Sequence, residues 1–159
     1  MMIFFLFEPL NVKKQNFIDI PQFDLANFTL YELDTKGLTT YMIGDKSIKY
    51  SNRYEVENMD YTDNSSKLIA NMKANNGLYK NDIVDLEGDV VYTREDGLEF
   101  ITEKIVYNKK TGVANTNKEF IMLRDDNKVV GTSLIYNNIL RKSTVTDVVA
   151  KYQIEENKQ

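Results

Sequence analysis

Apolar and polar residues alternate in short runs along most of the chain, and four of these runs fall into register when aligned on tyrosine. They span Ile43 to Tyr50, Met72 to Tyr79, Phe100 to Tyr107 and Val129 to Tyr136, so the tyrosines recur at intervals of 29, 28 and 29 residues. An apolar residue stands seven positions before each tyrosine. In three units an aliphatic residue also stands two before it, at Ile48, Ile105 and Leu134, with Gly77 the exception. Four matches in register indicate a repeated structural unit. Each unit is expected to hold two to four short strands. Turn signals separate them at Thr35–Gly37, Asn75–Gly77, Glu95–Gly97, Lys110–Gly112 and Asp125–Asn127, where Gly and Asx residues accept the positive φ of tight turns. Helical spacing occurs only weakly, at 66–74 and 144–151. The pattern predicts an all-β domain and leaves sandwich, jelly roll and β-solenoid open.

Composition narrows the function more than the fold. At 159 residues the chain fits one domain, and 42% hydrophobic with 28% charged residues is ordinary for a folded protein. A net charge of -4 and a pI near 5.0 speak against nucleic acid as a partner. The chain has no cysteine and no histidine, which removes disulfides, thiolate chemistry, the commonest general base and the commonest transition-metal ligand. No metal or cofactor is expected. Glu55, Glu57, Glu155 and Glu156 read as solvated charges, and Asp125–Asn127 as a turn rather than a calcium loop, because further carboxylates are missing.

Residues 1–7 are wholly apolar and stop at Glu8 and Pro9. Seven residues cannot cross a bilayer, which takes about 20. They read either as the last turns of a membrane anchor or as a short apolar arm packing on the domain. Residues 8–27 read as a polar, partly extended tether.

From Asn81 onward the residues resemble a known family. The Leu86, Gly88, Val90 step, the following strand with its turn at Gly97, Phe100 to Tyr107 and the turn residue Asn108 are similar to the Leu-x-Gly-x-Val region of the LptC family and related OstA-type domains. Lys67 to Ala74 resembles the strand before that step, and Asp147 to Ile154 the family's closing strand. The resemblance covers 28–154, with 155–159 a polar tail. Two features depart from the pattern: the N-terminus is too short for an anchor as given, and Glu119 stands where a small residue is expected.

The resemblance implies a twisted, open β-jelly roll, a half-pipe of antiparallel hairpins, periplasmic and held to the inner membrane by an N-terminal helix. It implies no enzymatic activity. The implied work is moving lipopolysaccharide from the transporter's periplasmic β-domains (LptF and LptG) to LptA. Phe28, Leu30 and Tyr31 match the transporter-facing edge, and Val145, Val148, Val149, Tyr152 and Ile154 match the LptA-facing edge.

Such a carrier needs a dry groove, since each buried methylene is worth about 0.8 kcal/mol. Candidate lining residues are Ile43, Met59, Ile69, Met72, Leu86, Val90, Phe100, Ile105, Phe120, Met122, Val130 and Leu134, with methionine suited to variable shapes. Each of these would serve equally as ordinary core. The repeated tyrosines would either rim a lipid headgroup or pack at a sheet edge with their hydroxyls in water. A scaffold that assembles through its strand edges and binds no lipid is the rival reading. A carboxylate-based hydrolase is a third, for which no converging polar residues can be named.

Overall fold

A computed structural model describes residues 19–65 and 67–152. It contains twelve strands: β1 Phe23–Asp34, β2 Gly37–Lys49, β3 Tyr54–Asp63, β4 Ala70–Lys80, β5 Ile83–Arg94, β6 Glu99–Asn108, β7 Val113–Thr116, β8 Phe120–Arg124, β9 Asn127–Gly131, β10 Ser133–Asn137, β11 Lys142–Thr146 and β12 Val149–Lys151. The first six form an antiparallel meander. Beyond β6 the sheet forks: residues 99–102 pair with β8, and residues 106–108 pair with β7. One branch continues through β9 to β12, the other through β10 to β11. Taken together, β7 with β8, β9 with β10, and β11 with β12 are three more long strands, each broken at its middle.

Among the described residues, β1 pairs only with β2, while β11 pairs only with β10 and β12 only with β9. The sheet is therefore not closed, and the fold is a twisted open β-jelly roll. Residues 23–27, assigned above to the tether, belong to β1. Asp19 is already tied to the domain through Arg53 at 2.7 Å. The segments with weak helical spacing are strands as well: residues 70–74 open β4, and 144–151 contribute to β11 and β12. Residues 1–7 and 155–159 lie outside the described residues.

The seven-residue interval has a simple geometric origin. In a flat strand, positions i and i+7 face opposite sides, because side chains alternate with period two. Here each long strand bends at its middle through one extra residue, which restores the face. In β4 the inward positions are Met72, Ala74, Gly77 and Tyr79, and in β6 they are Phe100, Thr102, Ile105 and Tyr107. Across β9 and β10 they are Val129, Gly131, Leu134 and Tyr136. The sequence Asn75–Gly77 is consequently a bend inside β4 and not a hairpin turn; the turn falls at Asn81 and Asp82, both with positive φ. The other four expected turns connect strands. One repeat is one hairpin of two long bent strands.

A polar crease runs along the outside of the bends. Asn58 donates to Asp45 at 2.7 Å, Asn75 to Asp89 at 3.0 Å and Thr132 to Asp147 at 3.1 Å. Asn27, Asn58, Asp89 and Asp147 take positive φ at these bends, a conformation that Asn and Asp tolerate better than other side chains.

Inside the crease sits the core. Ala74, Leu86 and Val90 form one cluster, and Phe100, Phe120 and Leu134 another. The Phe100 and Phe120 rings stack at 5.5 Å. Small residues make room for large ones. Gly44 lies against the Phe28 ring and Gly131 against the Phe120 ring, each so close that an added Cβ would come within 2.7 Å and 2.6 Å respectively.

Candidate functional site

The interior of the half-pipe has a floor at the crease and two walls, each made of cross-strand rows. On one wall, Leu30, Met42, Tyr61, Met72, Tyr92, Phe100, Met122 and Val129 stand opposite one another from strand to strand. On the other, Tyr54, Tyr79, Val84, Tyr107, Ala114 and Tyr136 form a matching row. The first wall is thus rich in methionine and the second in tyrosine.

Burial grades from floor to walls, with Phe100 of the first wall as deep as the floor. Leu86, Val90, Phe100, Phe120 and Leu134 are 1–6% exposed, so they fill the crease and act as core. Met59, Met72, Ile105 and Met122 pack against that core while remaining partly exposed. Burial, reinforced by Asp63 and Glu32, pushes Tyr61 up to about 12. Burial also raises Tyr92. A phenolate is disfavoured in such surroundings because its charge loses solvent.

Nine of the twelve candidate lining residues come together in this interior. Ile43, Ile69 and Val130 do not. Ile43 and Val130 share one outward-facing row that runs through the surface ion pair of Asp60 and Lys73 (3.1 Å) and through Val91, Ile101 and Ile121. Aligning the first repeat on Tyr50 places it one residue out of frame: the inward positions of β2 are Met42, Gly44, Ser47 and Lys49, so the residue chosen at 43 points away. Ile69 is 42% exposed, in the connection before β4. The wall residues Met42, Tyr61, Tyr92 and Val129 were missed. The spacing i, i+2, i+5, i+7 would have found Met42 and Val129, because it selects the face directly.

The edge candidates also divide. Tyr31 is 63% exposed on β1, and Val148, Val149 and Tyr152 are 48%, 71% and 67% exposed at the other end. Phe28 is instead buried beneath Gly44, and Leu30 lies in the inner row. Val145 packs on the second core cluster. Ile154 lies outside the described residues. Glu119, the second departure from the family pattern, is exposed in the break between β7 and β8, where its carbonyl accepts from Thr102 at 2.9 Å.

A recess of about 260 Å3 lies on the outer face, among Lys46, Glu55, Glu57, Leu78, Asp85 and Glu87. Its lining mixes these charged side chains with Ile48 and Leu78, and the sheet itself separates it from the interior. Among the described residues no cluster of carboxylates is arranged to hold a metal ion, and no helix is long and apolar enough to cross a membrane.

Among the described residues the jelly roll is open-ended, with an apolar inside and end strands that each pair on one side. The chain belongs to the LptC-related family of lipopolysaccharide-assembly proteins, whose model matches residues 4–153. It is therefore a periplasmic, non-catalytic component of the lipopolysaccharide transport bridge. No curated protein matches it by sequence. Among solved structures it is similar to that of LptH from Pseudomonas aeruginosa, described as the LptA-homologous periplasmic component of the conserved lipopolysaccharide transport device. The identity is 11%, over 82% of this chain and 94% of that one, with a TM-score of 0.46.

Proposed function

We propose that the half-pipe shelters the acyl chains of lipopolysaccharide between its methionine-rich and tyrosine-rich walls and passes the lipid along through strand-edge contacts. The observation that carries this reading is the continuity of the two inner rows, the first from β1 to β9 and the second from β3 to β10, with partly exposed Met59, Met72 and Met122 above a closed floor. Thioether side chains reshape around varied tails at small cost. The outer edge of β1, which meets no other described strand, would receive a β-domain of the inner-membrane transporter, LptF or LptG, and the edge formed by β11 and β12 would pair with LptA. Strand addition supplies such contacts through backbone hydrogen bonds. The anchor to the inner membrane belongs to this proposal, and residues 1–7 that would end it lie outside the described residues.

Photo-crosslinkable residues at Met72 and Met122 are expected to capture lipopolysaccharide, whereas the same probes at outward-facing Ile43 and Ile121 are not. Failure at every inward position, with partner binding intact, would instead support the edge-assembled scaffold.

A further inference from the structure

The two long lips of the half-pipe differ sharply in charge. One lip is formed by the segment before β1 and by the β2–β3, β4–β5, β6–β7 and β10–β11 connections. Counting these connections with their flanking strand residues, it carries seven Lys or Arg and only two carboxylates, Asp19 and Asp82. The other lip, formed by the β1–β2, β3–β4, β5–β6 and β8–β9 connections and the end of β12, carries five cations against seven carboxylates by the same count. In a chain of net charge -4, a lip with a surplus of five positive charges is a marked local exception.

The basic lip adjoins the tyrosine row. Lys49 Nζ lies 5.3 Å from the centre of the Tyr54 ring, Lys109 Nζ 5.2 Å from that of Tyr79, and the Arg53 guanidinium 3.7 Å from that of Tyr50. Tyr79 donates its hydroxyl to Asp82, which Lys110 also meets at 3.2 Å. Lys80, Arg141 and Lys142 complete the lip and are exposed. Moving outward from the crease, the surface passes from aliphatic floor to aromatic ring to phenol to cation. That gradient suits an amphiphile whose tails are apolar and whose head is anionic.

We infer that this lip binds the phosphate groups of the lipid headgroup and so fixes which way round the lipid lies in the trough. The inference rests on the acyl-chain reading above and adds to it an orientation and a ligand chemistry. Cations held beside phenols at the mouth of a dry groove meet a phosphate with charge-assisted hydrogen bonds, while the acidic lip opposite repels the same group.

The test compares the wild-type protein with a variant carrying Lys80→Gln, Lys110→Gln, Arg141→Gln and Lys142→Gln, and with a control carrying Lys36→Gln and Lys67→Gln on the other lip. Circular dichroism and melting establish that each is folded. The probes are bisphosphorylated lipid A, enzymatically dephosphorylated lipid A, inorganic phosphate and phosphatidylglycerol vesicles. The wild type and the control should prefer bisphosphorylated over dephosphorylated lipid A by about tenfold or more, the range of one or two charge-assisted contacts. The four-site variant should lose that preference yet bind dephosphorylated lipid A as the wild type does. Equal binding of both lipids by the wild type would overturn the inference and leave the acyl-chain reading standing; binding of neither would remove both. Inorganic phosphate competing at the affinity of the lipid, or vesicles bound as tightly, would overturn it in favour of a free-phosphate site or a general anionic surface.

Discussion

Phe120 is 1% exposed, and it reaches that depth because Gly131 beside it offers no side chain. A Cβ at 131 would stand 2.6 Å from the Phe120 ring and 2.9 Å from Val145 Cγ1. Neither neighbour has room to yield, since both pack into the second core cluster. Gly131→Val is therefore expected to destabilise the protein by about 1–3 kcal/mol, the usual cost of overpacking, read as a lowered urea midpoint. Charge supplies a second prediction at this scale. The Arg94 guanidinium holds Asp96 through two hydrogen bonds of 2.7 and 2.8 Å, with Arg124 at 3.4 Å, and lowers its carboxyl from 3.8 to about 2. A carboxyl depressed in the fold contributes stability above its unfolded value, and that contribution disappears as pH falls through the folded one. Thermal melts should lose stability between pH 3.8 and about 2, and Asp96→Asn should flatten the loss over that window.

Among the strands, the bend decides which side chains meet. In β5 the sequence Leu86, Gly88, Val90 places two buried aliphatics on either side of a glycine at φ +84, followed by Asp89 at φ +47. This is the Leu-x-Gly-x-Val step, and its physical content is a fold in a strand whose two halves must face the same interior. Gly88→Val would require a β-branched residue at positive φ and would place its Cβ 2.8 Å from Asn75. The expected result is a loss of about 1–3 kcal/mol, with a greater loss of binding at the trough than Gly131→Val produces at equal stability, because both walls hinge on this bend. The repeat was legible because tyrosine recurs at one end of the inner face, at 79, 107 and 136. The bend was not, since Asn75–Gly77 has the chemistry of a hairpin turn and only pairing with Leu86 and Glu87 reveals it as mid-strand. The same lost frame gives Ile43 the sequence spacing of an inward residue, whereas its pairing with Asp60 sets it on the outside.

At the scale of the whole molecule, the open sheet leaves backbone donors and acceptors of β1, β11 and β12 without neighbours among the described residues. All-β character and strand density could be read from alternation alone. Openness could not, because nothing local in a strand's sequence tells whether its far side is paired. The edges carry exposed apolar side chains, Tyr31 on β1 and Val149 on β12, where isolated domains commonly place lysine or proline to discourage pairing. Installing a charge at these two apolar positions is the sharpest test of their use. Val149→Lys removes little packing, since the residue is 71% exposed, and should leave the melting temperature nearly unchanged. It should weaken association with LptA in a pull-down or titration by several-fold and leave association with the transporter's β-domains untouched. Tyr31→Lys should do the reverse. Two edges serving two partners predict this crossed pattern. A single shared edge, or a surface away from the strand ends, predicts that the two substitutions act alike.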